Sequence, residues 1–188
     1  MSDDPYLYSG SRVLKNKLDI RDEQTLEVVE RRLTAERGSQ GVPTGGFDLA
    51  HLSAIHRHLF QDIYEWAGEV RTVEISKGSS QFQFRAYIET GMADVHRRLV
   101  TGKYLCGLGV EAFAREAGQI MGDVNYVHPF REGNGRTQLF YLEQLSRRAG
   151  HRIDLRKFDR ETWMEASRKA HEADYRAMSD CLRPAIVA

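Results

Sequence analysis

Little in this sequence is suited to chemistry outside a cell or within a lipid phase. Cysteine occurs only twice, at Cys106 and Cys181, far apart and in no metal-like or redox-like spacing. Both thiols therefore read as buried or incidental residues, no disulfide framework is indicated, and a reducing compartment is expected. Residues 1–5 are acidic without an apolar stretch, so no signal peptide is expected. No run of about 18 apolar residues is available to span a bilayer. Charge of one sign is also missing. Lys plus Arg and Asp plus Glu both number 27, giving a net charge of +0, so nothing in the total draws the chain to nucleic acid or to a membrane surface. There is no internal repeat, no low-complexity tract and no Gly-x-x-x-x-Gly-Lys-Ser/Thr run of the Walker kinases. A cytoplasmic protein with no membrane partner and no direct nucleic-acid partner is the expectation.

What remains is ordinary globular material. The chain has 188 residues, 41% hydrophobic and 29% charged, enough for a single domain over 1–188 with its own core. Residues 1–20 read as an irregular lead-in. Leu26, Val29 and Leu33 set the first helical register, with Asp22 upstream as a cap. The segment 38–46 is a loop by composition, and Asp48 can cap a helix carrying Leu49, Leu52, Ile55, Leu59 and Phe60. Residues 70–75 and 81–84 alternate around a turn at 77–80, which predicts a β-hairpin. Helices follow at roughly 87–101, 110–126, 133–148 and 160–182, the last broken near Ala173 and Asp174, with Gly150 where a C-terminal cap belongs. The fold class is all-α with one small hairpin.

The informative stretch is residues 128–137, which reads His-Pro-Phe-Arg-Glu-Gly-Asn-Gly-Arg-Thr. Gly133, Asn134 and Gly135 precede an apolar helical run, so backbone can come close to a ligand where a helix N-terminus presents free N–H groups. That combination suits phosphate oxygens. Arg136 adds a planar cation in the first turn, a position the helix dipole disfavours unless an anion is near. Arg131, in the same run, is grouped with the phosphate-binding residues. Glu132 is a hard oxygen ligand able to hold Mg²⁺ directly or through water. His128 has the side chain to remove a hydroxyl proton near neutral pH. A lone histidine is usually structural and a Gly-Asn-Gly stretch usually a turn; base, metal ligand, anion nest and arginine together in so short a run are harder to explain as structure. His51, His56 and His58 share a helix, but no carboxylate or cysteine completes a metal site, so packing or surface roles are expected. Trp66 and Trp163 read as core anchors. Asn125, Tyr126 and Tyr141 are candidates to line a ligand pocket beside this run, with a structural role the simpler account.

The run from His128 to Arg136 resembles the signature of the Fic family, His-x-Phe-x-Asp/Glu-Gly-Asn-Gly-Arg-x-x-Arg. The resemblance extends to residues 55–68 and covers roughly 5–183 of the chain. In form it is nearest to short bacterial Fic toxins that work with a small antitoxin. It implies a helical bundle with a β-hairpin flap at about 70–86 over a motif loop at 128–136. It further implies a protein adenylyltransferase. His128 would deprotonate a Tyr, Thr or Ser hydroxyl of a target protein, and the oxygen would attack the α-phosphate of Mg·ATP. Glu132 would position the metal, and Gly133, Asn134, Gly135 and Arg136 would hold phosphates. Val73, Ile75, Phe82 and Phe84 would line the flap that pins the target by strand addition; a plain surface ribbon is the competing account of that hairpin.

The signature breaks at one place. Its second arginine falls on Leu139, which has neither donor nor charge. This leaves open a Fic-fold enzyme that uses UTP, GTP or a phosphocholine donor, or runs the reaction backwards, and a weakly catalytic nucleotide- or partner-binding protein. Leu139 also fits a buried stripe with Leu142 and Leu145. The family's inhibitory motif, Ser/Thr-x-x-x-Glu followed by Gly or Asn, has no copy here, so an inhibitory helix is expected from a separate antitoxin. DNA topoisomerase subunits are candidate targets by the same resemblance, although no residue selects them.

Overall fold

The computed structural model describes residues 4–78 and 80–187, with backbone alone at Arg160. Ser79, in the expected hairpin turn, and the first three residues of the lead-in lie outside the described residues. Among those described, seven α-helices carry the fold. They are α1 (Glu23–Ser39), α2 (Leu49–Phe60), α3 (Ile88–Thr101), α4 (Val110–Val127), α5 (Asn134–Ala149), α6 (Arg160–His171) and α7 (Arg176–Leu182). The expected caps form: Asp22 accepts from the Thr25 N–H at 2.8 Å, and Asp48 from the His51 N–H at 2.8 Å. Gly150 ends α5 in the left-handed region, and Ala173, at φ 60, breaks the last helical stretch near the expected place.

The central helix is α4, whose Phe113, Ala114, Ala117, Met121 and Val124 are fully buried. It packs against α3, α5, α6 and α7. A Cβ on Gly122 would come within 2.7 Å of the Tyr175 ring and 2.9 Å of Ala170, so the absence of a side chain there sets how closely the C-terminal helices approach α4. On the other flank α2 packs between α1 and α5.

Two features differ from expectation. The hairpin is much shorter than 70–75 and 81–84: β1 (Ser76–Lys77) pairs with β2 (Ser80–Gln81), in register Ser76 to Gln81 and Lys77 to Ser80. Beyond β1 and β2 the legs keep one cross-link, the Phe82 N–H donating to the Ile75 carbonyl at 3.3 Å, and then part. The Arg71 N–H donates to the Pro129 carbonyl at 2.8 Å, and an isolated ribbon gains little from more length. A second two-residue pair, β3 (Arg152–Ile153) with β4 (Ile186–Val187), ties the end of α5 to the end of the helical bundle. The described part of the lead-in has no helix and is tightly held. Tyr6 and Val13 are buried, the Tyr8 N–H donates to the Val13 carbonyl at 3.0 Å, and Tyr6 packs edge-on to Trp66 at 5.4 Å. Among the described residues no helix is long and apolar enough to cross a membrane.

Candidate active site

The site begins where α4 runs out. His128 closes that helix in a left-handed conformation, φ 47 and ψ 63, which is uncommon for a residue with a side chain and persists only where the surroundings hold it. Its Nδ1 lies 3.0 Å from the Asn125 carbonyl. A carbonyl can only accept, so Nδ1 carries the proton and Nε2 keeps its lone pair. The imidazole stacks on the Phe82 ring at 3.7 Å and 22°, and Phe82 meets His171 edge-on at 5.0 Å. Burial is the main force pushing the His128 pKa down, to about 3; the Asn125 carbonyl opposes it, and the positive charges of Arg71, His171 and Lys77 add to it. His128 is thus a neutral base over the physiological range.

After His128 the chain makes a loop that feeds α5. Phe130 is fully buried, and Asn134 grips its backbone from both ends: the Phe130 N–H donates to Oδ1 at 3.0 Å, and Nδ2 donates to the Phe130 carbonyl at 2.7 Å. The Asn134 side chain thus shapes the loop through both of its bonds to Phe130. Gly133 has φ 83, and a Cβ there would lie 2.3 Å from Phe60 Cζ, so both conformation and space demand glycine. Gly135 sits in the first turn of α5 with no atom within 4 Å of a would-be Cβ, leaving that turn's N–H groups an open face. The exposed Glu132 accepts from the Gly133 N–H at 2.8 Å through Oε1.

The two arginines each have a protein partner. Arg131 is held by the lead-in, its Nε and Nη2 donating to one oxygen of Asp4 at 2.9 and 2.8 Å. Arg136 reaches toward α1. It pairs with the buried Glu30, lies 3.4 Å from the Thr34 hydroxyl and 3.7 Å from Glu132, and crosses the Phe60 ring at 4.8 Å. Glu30 also accepts from the Tyr64 hydroxyl, whose pKa is pushed up by burial and then by that carboxylate. The buried face of α1 is thus Leu26, Glu30 and Thr34, with Leu33 half-buried against the core. A carboxylate between Leu26 and Leu33 in the same register was the available signal. Leu139 is half-buried against the core.

His56 was expected only to pack, and it does more. It is fully buried, stacked between Phe130 at 4.0 Å and Phe60 at 4.6 Å. The Gly68 N–H donates to its Nδ1 at 2.8 Å, so Nε2 carries the proton and donates to the Glu132 carbonyl at 3.0 Å. Burial holds its pKa down to about 4, so the imidazole stays neutral.

Of the expected flap residues, Val73 and Ile75 are half-buried, and Phe84 is 57% exposed. Phe82 is buried, at 7%, because its ring roofs His128; its face is therefore unavailable to a target segment. A groove of about 650 Å³ runs along the flap root, lined by Thr72, Glu74, Phe84, Arg85 and Tyr87 among others. No group of three His, Cys, Asp or Glu able to hold a metal occurs among the described residues. One carboxylate beside a helix N-terminus is nevertheless what Mg²⁺ needs when phosphate oxygens and water complete its shell, so Glu132 fits that ion with a nucleotide present.

Residues 46–146 match the Fic/DOC family. The chain belongs to that family. It is 38% identical over 173 residues to a probable protein adenylyltransferase of Sinorhizobium fredii, covering 92% of this chain and 90% of that protein. It is 36% identical over 177 residues to the probable protein adenylyltransferase Fic of Escherichia coli, covering 93% and 88%. Among solved structures, the BepC effector of Bartonella tribocorum with bound AMPPNP superposes with a TM-score of 0.90 at 26% identity, covering 98% and 97% of the two chains.

Proposed function

We propose that this Fic/DOC chain is a protein adenylyltransferase that uses His128 as its base and the first turn of α5 as its phosphate cradle. The observation that carries the assignment is the His128 tautomer: Nδ1–H is spent on the Asn125 carbonyl, so the lone pair on Nε2 is free beside a loop that opens onto an uncovered helix N-terminus. A target Tyr, Thr or Ser hydroxyl gives its proton to Nε2. The oxygen then forms a bond to the α-phosphorus of ATP while the bond to pyrophosphate breaks. The N–H groups of Asn134, Gly135 and Arg136 stabilise the charge that moves onto the phosphate oxygens. Mg²⁺, with Glu132 as its one protein carboxylate, would offset triphosphate charge when bound. His56 holds the Glu132 carbonyl, and Asn134 holds Phe130, so the loop keeps its shape without ligand.

The target is held at the flap. Among the described residues β1 pairs only with β2, so a strand edge is free for an extended segment, with Val73, Ile75 and Phe84 at its root. Regulation is proposed to come from a small antitoxin supplying an inhibitory helix, in the cytoplasm, since the chain lacks the inhibitory motif. One observation favours a second reading: Leu139 offers no donor, and Arg136 is already paired with Glu30, which suits a different donor nucleotide or a slow enzyme. Transfer assayed side by side with ATP, UTP and GTP tests the second reading, and His128→Ala tests the base. Binding of Mg·ATP should survive that change and transfer to protein should vanish; transfer that persists would remove His128 as the base.

A further inference from the structure

The flap and the catalytic loop are joined by one buried side chain. Arg71 is 2% exposed, and its guanidinium meets backbone carbonyls on three sides. Nε donates to the His128 carbonyl at 2.9 Å. Nη1 donates to the Val73 carbonyl at 2.8 Å, on the leg entering the flap. Nη2 donates to the Gln83 carbonyl, on the leg leaving it, and lies 3.5 Å from the Val127 carbonyl. The Arg71 backbone N–H adds the Pro129 carbonyl at 2.8 Å, so one residue takes two successive carbonyls of the catalytic loop.

These contacts answer a question that the His128 backbone raises. A left-handed histidine at a helix end exposes the last carbonyls of α4, which favour a cation, and it needs its surroundings to hold it there. Arg71 supplies both the charge and the hold. Glu74 completes the root from the solvent side. Its carboxylate accepts from the Arg85 N–H at 3.0 Å, lies 3.4 Å from Arg71 Nη1 and 3.8 Å from Arg85 Nε. The two flap legs are thus laced at their base by a cation inside and a carboxylate outside, with only two residue pairs of ladder beyond.

We infer that Arg71 is the positioning residue of this site: it fixes the His128 backbone and both flap legs as one unit, with Glu74 as its outer brace. The inference rests on the assignment of His128 as base and of the flap as target holder. A target segment laid on the flap then arrives at a set distance from Nε2, and neither partner can shift without moving the other. Lysine at position 71 keeps the charge but loses the fork that spans three carbonyl directions.

The test is steady-state transfer to a protein target, measured with Mg·ATP, for wild type, Arg71→Lys, Glu74→Gln, His128→Ala and Arg37→Met. The last removes a two-bond ion pair with Asp62, between α1 and the end of α2, and serves as a stability control. Arg71→Lys should lower kcat and raise KM for the protein target, with kcat/KM falling about 10- to 100-fold, as expected for misplaced reacting groups. Glu74→Gln, at a half-exposed position that tolerates the change, should raise KM for the target while leaving kcat within about twofold. Affinity for a non-hydrolysable ATP analogue should stay within about twofold for both. Arg37→Met should lower the melting temperature without changing the ratio of kcat to KM. An unchanged target KM in folded Arg71→Lys and Glu74→Gln would overturn the inference, as would nucleotide affinity that falls in step with transfer. If Arg71→Lys does not fold, Glu74→Gln alone decides. Transfer by His128→Ala would instead overturn the base assignment, whatever the other variants do.

Discussion

Replacing His56 with phenylalanine keeps the ring between Phe60 and Phe130 and removes only its two hydrogen bonds. The Gly68 N–H and the Glu132 carbonyl, bonded at 2.8 and 3.0 Å in the native chain, are then left without partners in part-buried positions. Each such loss costs about 1–3 kcal/mol, and partial exposure puts the sum at about 2–4 kcal/mol at pH 7. For a chain of this size that corresponds to a fall in Tm of about 5–15 °C. The pH dependence gives a sharper signature. Folded His56 titrates near 4 and the unfolded residue near 6.5, so the unfolded state binds the extra proton between those values. The stability from keeping His56 neutral is therefore fully present above pH 6.5 and is lost as pH falls toward 4, by at most about 3 kcal/mol. His56→Phe lacks that component. Denaturant melts at pH 7, 6, 5 and 4 should show the gap between wild type and variant shrinking as pH falls. Parallel curves would refute the burial and bonding assigned to His56. Transfer activity should fall as well, because the Glu132 backbone loses its anchor.

Other consequences follow from single contacts. Gly133→Ala forces a side chain into φ 83 and against Phe60, so stability should fall by about 2–4 kcal/mol in chemical denaturation, together with transfer. Glu30→Gln leaves Arg136 with only the exposed Glu132, at 3.7 Å, as a charged partner. Because Arg136 is one-third exposed, the cost should be about 1–3 kcal/mol, and ultraviolet titration should find the Tyr64 hydroxyl ionising at lower pH than in wild type. With His128 held to about 3, its protonation should not limit the reaction between pH 8 and about 5; a half-loss of kcat/KM near pH 6.5 would contradict the desolvated environment assigned to it.

What the sequence made legible was local. Asp22 and Asp48 cap helices through bonds three residues away, Gly150 and Ala173 mark ends by backbone conformation, and the loop from His128 to Arg136 is contiguous. What it hid depends on contacts across the chain. Arg136 and Glu30 lie 106 residues apart, His56 and Glu132 76 apart, and Arg71 and His128 57 apart. No periodicity points from one to the other. The alternation over 70–75 suggested a longer strand because β-prone residues there are half-buried against the core for another reason, the anchoring of the flap root. Phe82 shows the same limit. Its spacing marked it as a hairpin residue, but which face it turned to, and that His128 would be under it, came only from the packing.

The central claim is AMP transfer driven by His128. Purified protein incubated with Mg²⁺, a bacterial lysate and ATP labelled at either the α- or the γ-phosphate tests it directly, beside a His128→Ala control. Label entering protein from the α position alone, and absent in the control, is the predicted result. Label entering from the γ position, or α-label that persists without His128, would contradict the account.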